Sequence, residues 1–443
     1  MKTARAVASI RAVKAVRILL FLGLVLFVIT GPNALVWAEE SAGGQAGTEP
    51  TAEPASSEAE FKDLTPDHWA YAAIAQGVRQ GYIAGFPDGT FRPNDPVTVA
   101  QFIKMTLMSL TDDSSGFVWW SDKYLALVPD WYQSFLNNAT ANFEDGTPWY
   151  ENYVRTAQNL ELIADEYVGR YDEPLTRERA AKIVNNLDDY FHGSFQREHA
   201  LLAGTQLFKD FDRADFYFQE YVGDVALRGI MVGNEAGYFN PKATITRAEA
   251  AKICLLLADA NLRSHVSVDL TGVPYSIVPT PGYGPYILIF ANDEMKRTYD
   301  AMYEAQKDYP GATNAFTGTL SYYENDELKE KGFRKVFYSL EEPDPVNAHD
   351  FGISFTGNVY TLNISTLNGR FERAGQEIKH FISLIVSDPA DSLSLFNEIK
   401  LAVENVRDHE IVILNKIIEK RQVVISGQDD YVIIGLSAYT DKK

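Results

Sequence analysis

Three stretches of this 443-residue chain carry the same features in the same order, and that recurrence constrains the fold more than any single motif. The first runs from Phe61-Lys62-Asp63 through Trp69, Gly81-Tyr82-Ile83-Ala84-Gly85 and Phe86-Pro87-Asp88-Gly89-Thr90-Phe91-Arg92-Pro93 to Thr98-Val99-Ala100-Gln101. The second has Phe143-Glu144-Asp145, Trp149-Tyr150, Leu162-Ile163, Pro174 and Thr176-Arg177-Glu178-Arg179. The third has Phe208-Lys209-Asp210, Gly229-Ile230-Met231-Val232-Gly233, Gly237-Tyr238-Phe239-Asn240-Pro241 and Thr246-Arg247-Ala248-Glu249.

Each copy reads as helix, glycine-containing loop, helix. In the first, Trp69, Ala73, Ile74 and Val78 form an apolar stripe at helical spacing, and Gly81 ends that helix as a left-handed cap residue. Pro87-Asp88-Gly89 makes a tight turn. Thr246-x-x-Glu249 is a capping box and Thr98-x-x-Gln101 its neutral form, each opening a second helix. One such hairpin cannot bury its apolar face alone, so several must pack together.

The phrase Gly-Phe-Pro-Asp-Gly-Thr-Phe-Arg-Pro (85–93) and the Thr-Arg-Ala-Glu box (246–249) resemble the S-layer homology (SLH) family. The resemblance covers about 200 residues. It implies three repeats packed as a pseudo-threefold helical prism. It also implies binding of secondary cell-wall polysaccharide, often ending in a pyruvylated sugar, in grooves between repeats.

Residue chemistry gives an independent reading. A cation just after an N-cap faces the positive end of the helix dipole, so Arg177 and Arg247 suggest a task other than helix stability. With free backbone N–H groups they would form an anion site suited to a carboxylate. Trp69 and Trp149 serve either as flat platforms for sugar rings or as core anchors. Gly81, Gly85, Gly229 and Gly233 either admit a glycan to the backbone or meet turn geometry only. Asp63, Asp145 and Asp210 either join the polymer site or act as helix N-caps. Glu249 completes the candidate set.

The copies depart from the family pattern. Val99 stands where the family has Arg, Arg179 replaces the capping Glu, the second copy lacks the Gly-x-Phe-x-Pro loop, and the third lacks the Trp. The repeats are placed at 61–111, 143–190 and 208–262. An insertion at 112–142, holding Trp119, Trp120, Tyr124, Trp131 and Tyr132, is expected to add one helix with a packing role. The grooves between copies 2 and 3, or 3 and 1, are the best candidates.

The first 38 residues are basic, with an unbroken apolar run Ile18–Ile29 and small residues at Val36 and Ala38. That order is expected of a signal peptide cleaved after about Ala38, and the run falls short of the roughly 20 residues that span a bilayer. An uncleaved anchor is the alternative. Residues 39–60, rich in Ala, Glu, Ser, Gly, Thr and Pro, read as an acidic flexible tether. A net charge of −20 disfavours nucleic acid and anionic lipid as partners. Cys254 is the chain's one cysteine, which excludes an intrachain disulfide and a cysteine zinc cluster. It lies in an apolar run and reads as a buried small hydrophobe.

Beyond 263 the pattern changes. Residues 264–285 read as a Pro- and Gly-punctuated linker. An α+β domain of no recognised family follows at 286–443. Its expected elements are a strand at 286–291, a helix at 292–309, an extended stretch at 335–340 and a hairpin at 351–365. Helices at 371–386, 391–406 and 409–420 and a last hairpin at 422–436 complete it. No nucleophile elbow, phosphate loop or zinc-protease motif is present. Glu377-x-x-His380 has the spacing of a di-iron helix but lacks the second helix such a site needs. His349-Asp350 and Asp408-His409-Glu410 adjoin only in sequence. No cofactor, metal or catalytic residue is assigned.

The leading expectation is therefore an all-α repeat module followed by an α+β domain. It would be a secreted protein of a bacterial cell wall or S-layer, held noncovalently by its repeats. The last domain would act as a binding or structural module, with other surface proteins as candidate partners. The competing expectation makes that domain a wall-anchored hydrolase acting on glycan or peptide.

Overall fold

The computed structural model describes residues 61–111, 118–128, 130–141, 147–164, 167–193, 195–264, 266–280, 284–316, 318–338, 348–367 and 369–437. The expected signal segment, the tether and Asp145 lie outside them. Among the described residues the fold is mixed, with 13 helices and a seven-stranded antiparallel sheet. The chain divides after Asp269 into two compact units.

The first unit is helical. Its elements are α1 (Tyr71–Arg79), α2 (Val99–Met108), α3 (Asp122–Leu125), α4 (Asp130–Ala139), α5 (Glu151–Asn159), α6 (Arg177–His192), α7 (Arg197–Leu207), α8 (Phe216–Leu227) and α9 (Arg247–Ala258). Helices α2 and α9 begin with complete capping boxes, in which each Thr side chain accepts from the N3 amide and the Gln101 or Glu249 side chain accepts from the cap amide. In α6, where Arg179 stands at the N3 position, the Thr176 side chain caps nothing and its buried Oγ1 has no hydrogen-bond partner.

The loops that precede α2, α6 and α9 close on one another. The Val97 N–H donates to the Ile245 carbonyl (2.9 Å), Ile245 to Leu175 (2.9 Å) and Leu175 to Val97 (3.0 Å). All three side chains are fully buried. The first two amides of each helix are spent the same way. Val99 and Ala100 donate to Glu173 and Tyr171, Arg177 and Glu178 to Ala243 and Pro241, and Arg247 and Ala248 to Asp95 and Pro93. Backbone groups at a helix start are orphans unless something caps them. Here the loop that precedes each of α2, α6 and α9 caps the start of another of these helices.

The insertion holds two helices, α3 and α4, rather than the one expected. Trp120 and Tyr124 are buried against Phe191, with ring centroids 5.8 and 5.5 Å away, and the Tyr124 hydroxyl donates to the Ala258 carbonyl (2.7 Å). Trp119 is exposed. Helices α7 and α8 pack so closely that a Cβ on Gly223 would lie 1.8 Å from the Ala200 carbonyl oxygen. Beside them Arg228 is buried among Asp188, Asp189 and Asp224, and Arg263 also pairs with Asp188 (2.7 Å). Cys254 is buried, and burial pushes its thiol pKa up.

The second unit begins with a hairpin of β1 (Tyr275–Thr280) and β2 (Gly284–Ile289), inside the stretch expected to be a linker. Next come α10 (Asp293–Ala305), β3 (Ala312–Phe316), β4 (Thr319–Tyr323), α11 (Asp326–Tyr338), β5 (His349–Thr356) and β6 (Val359–Ser365). The chain ends with α12 (Arg370–Ile385), α13 (Pro389–Arg407), β7 (Val412–Ile418), β8 (Arg421–Gln428) and β9 (Tyr431–Ser437). The seven-stranded sheet has the order β3-β4-β5-β6-β9-β8-β7. Its core joins Phe371, Ile378, Phe381 and Ile382 of α12 and Ile399 and Val403 of α13 to Ile353, Leu362, Ile425 and Ile434 of the sheet. Two expectations fail. Residues 335–338 end a helix instead of lying extended, and 412–418 are a strand where a helix was expected. Val412, Ile413, Ile417 and Ile418 are β-branched, which favours the pleated state.

Candidate functional site

In copies 1 and 3 an aspartate organises the loop. Asp63 accepts from the Phe91 and Arg92 amides, both at 2.7 Å. Asp210 accepts from Phe239 (2.8 Å) and Asn240 (2.9 Å). Neither caps a helix as the sequence allowed. Each instead holds its own repeat's turn, where Arg92 and Asn240 sit at positive φ. Burial works against ionised Asp63, but the Phe91 and Arg92 amides outweigh it and hold its pKa below the usual value. Phe61 packs at a tilt against Phe91 (44°) and Phe208 against Phe239 (51°), so the two turns repeat down to their rings.

The arginines reach across copies. From α6, Arg177 Nε donates to the Phe239 carbonyl and Nη1 to Glu249 Oε1, both at 2.7 Å. From α9, Arg247 Nε donates to the Phe91 carbonyl and Nη2 to the Ala84 carbonyl, both at 2.8 Å. Both guanidinium groups lie over the phenyl ring of the residue whose carbonyl they hold. The anion site expected from arginine plus free helix amides is corrected here, because the amides of Arg177, Glu178, Arg247 and Ala248 already donate to carbonyls.

Arg247 also lines a small pocket of about 80 Å³, together with Gly81 to Phe86, Gln101, Lys104 and Met105. Copies 1 and 3 both contribute to it. Its two charged lining residues, Lys104 and Arg247, are cationic in a chain of net charge −20. The Lys104 ammonium lies 5.6 Å from the Trp149 ring centroid and 5.8 Å from that of Tyr153. Cationic side chains lining a pocket suit an anionic ligand.

The structure thus brings Gly81, Gly85 and Arg247 to one pocket and sets half-buried Trp149 against the Lys104 side chain that lines it. It places Arg177, Glu249, Asp210, Gly229 and Gly233 elsewhere, in contacts that hold the module together. A Cβ on Gly85 would lie 2.2 Å from the Phe61 ring, and one on Gly229 would lie 2.2 Å from the Ser264 carbonyl, so those glycines answer to packing. Trp69 is 62% exposed and stacked on His68, so it is no core anchor. Lys104 and Gln101 were not anticipated as site residues. The signal for the lysine was in the sequence, because Lys104, Lys182 and Lys252 each stand six residues after the cap threonine.

In the second unit, Asp350 is fully buried and held by the Tyr309 hydroxyl (2.5 Å) and Arg373 Nε (2.7 Å), which makes it an anchor of the fold. Burial raises the Glu377 pKa. Among the described residues no group of three or more His, Cys, Asp or Glu side chains is placed to hold a metal ion, and no helix is long and apolar enough to cross a membrane.

A family model described as the S-layer homology domain matches residues 60–103 and 207–251. The Cell surface glycoprotein 1 of Acetivibrio thermocellus is 30% identical over 142 residues, 29% of this chain and 6% of that protein. An endoglucanase of Bacillus sp. (strain KSM-635) is 25% identical over 195 residues, 44% of this chain and 18% of that protein. The Cellulosome-anchoring protein of Acetivibrio thermocellus is 46% identical over 46 residues, 10% of each chain. The chain therefore spans less than a fifth of the length of these relatives. The two matched segments hold the paired Asp63 and Asp210 turns and both capping boxes, and the chain carries S-layer homology domains at 60–103 and 207–251.

Proposed function

We propose that this protein is exported and held noncovalently on a bacterial cell wall by three SLH repeats, the middle one at 143–190, arranged as a pseudo-threefold prism. The ligand is an anionic secondary cell-wall polysaccharide, and the pocket of Gly81–Phe86, Gln101, Lys104 and Arg247 takes its charged sugar. One observation carries this reading. A strongly acidic chain sets two cations, Lys104 and Arg247, on one pocket between copies 1 and 3, with Lys104 beside half-buried Trp149. The domain matches and the printed names of two relatives, a cell surface glycoprotein and an anchoring protein, support the cell-surface setting.

The test is cosedimentation of the protein with cell-wall sacculi, before and after acid removal of the secondary polymer. Binding lost on stripping, and weakened about tenfold or more by Lys104→Ala, is expected. Equal binding to stripped walls sinks the proposal. The endoglucanase likeness covers 18% of that enzyme, so glycan hydrolysis by residues 286–443 stays the second reading. Release of reducing ends from wall glycan by the purified protein would favour it.

A further inference from the structure

We propose that β7 is a self-pairing edge, through which two copies of this protein join antiparallel into one continuous sheet. Among the described residues β7 is the last strand in the sheet order and is hydrogen-bonded only to β8. It joins β8 through Glu419 and Lys420, both at positive φ, in a two-residue hairpin turn closed by Ile418 and Arg421. That closure fixes which backbone groups face inward. Residues 412, 414, 416 and 418 bond β8, so the N–H and C=O of Ile413, Asn415 and Ile417 face the open edge.

Natural edges are blunted by short strands, bulges, prolines or outward charges. β7 has seven residues, no proline and unbroken register with β8. Its single charge, Lys416, turns onto α13 and is neutralised by Glu398 at 2.7 Å. Ile413 and Ile417 are 75% and 77% exposed.

The occupant follows from the register. In an antiparallel pairing of β7 with a second β7 about Asn415, the three outward-facing residues meet only one another. Ile413 falls opposite Ile417 of the second copy, Asn415 opposite Asn415, and Ile417 opposite Ile413. Both apolar pairs sit at hydrogen-bonded positions. At each end of the pairing exposed Glu410 comes near the hairpin turn that carries exposed Lys420 of the second copy, which brings opposite charges together twice. Lys416 meets Leu414, so no like charges are opposed. Such an interface is isologous and closes at two copies. The proposal does not rest on the wall-binding reading.

The experiment is sedimentation velocity of the full protein over a wide concentration range. A monomer–dimer equilibrium is expected. Ile417→Lys should raise the dimer dissociation constant about tenfold or more. Lys420→Glu sets Glu against Glu and should weaken the dimer. Adding Glu410→Lys to Lys420→Glu restores opposite charges and should recover it. Hydrogen exchange at the Ile413, Asn415 and Ile417 amides should slow as concentration rises. These positions are exposed, and circular dichroism checks that each variant folds. A monomer at every concentration overturns the proposal. So does a dimer indifferent to Ile417→Lys, or one that the charge exchange fails to restore.

Discussion

Glu249 Oε1 accepts from Arg177 Nη1 at 2.7 Å, while Glu249 Oε2 accepts from its own cap amide, Thr246, at 2.9 Å. One carboxylate thus caps α9 and ties it to α6. Arg177→Ala should lower the unfolding free energy by about 2 kcal/mol, because it also strands the Phe239 carbonyl. A double-mutant cycle with Glu249→Ala in urea denaturation should return a coupling of about 1 kcal/mol or more. Purely additive losses would show that the pair contributes nothing beyond its separate contacts.

Arg179→Glu should stabilise the protein by about 0.5–1 kcal/mol, since it rebuilds the capping box that α2 and α9 already have and gives the Thr176 cap amide an acceptor. The variant gives up Arg179 beside the Tyr167 ring at 5.6 Å, an exchange of smaller size. A rise in Tm without loss of wall binding is the expected result.

Gly223→Ala should cost about 1–3 kcal/mol or more, because its new methyl group meets the Ala200 carbonyl of α7 and the helices must part. Gly169, around which nothing lies within 4 Å, is a contrast site, though its φ of +76° taxes any side chain there. If Gly223→Ala melts with the wild type, the α7–α8 approach is looser than the structure places it.

The acids around Arg228 set opposite pH limbs. Burial would raise Asp188, but Arg228 foremost, then His192 and Arg263, drive its pKa far below 3.8. Its contribution is therefore present above about pH 4 and lost as pH falls further. Burial pushes Asp224 up to about 6 against the pull of Arg228. Between pH 6 and 3.8 the folded chain holds a proton on Asp224 that the unfolded chain lacks, so this group's contribution falls as pH rises through that window. Asp224→Asn should flatten the stability profile between pH 4 and 6 and leave the acid limb in place, as read by urea midpoints across pH.

What could be read from the sequence was what local spacing encodes. The boxes at Thr98 and Thr246 need partners only three residues away, and both form. The roles of Asp63 and Arg177 escaped because their acceptors and donors lie in distant loops, which no periodicity marks. β7 was misread for a different reason. Ile413, Leu414, Ile417 and Ile418 fit a helical face as well as a strand, and the deciding weight, β-branching, was outvoted by spacing. The hairpin of β1 and β2 hid behind Pro274, Pro279, Pro281 and Pro285, residues that usually mark a break.

The closed ring of Val97, Leu175 and Ile245 has a consequence in time. A ribosome makes the chain amino end first, so the Val97 amide has no acceptor until Ile245 has been added. Until then the start of α6 stays open, because its acceptors at Ala243 and Pro241 have not been made, and the ring cannot close. Whatever accompanies the nascent chain must shield the unfinished face of the second copy for that whole interval, and a chain broken before α9 keeps the bonds between the first two copies but cannot close the ring.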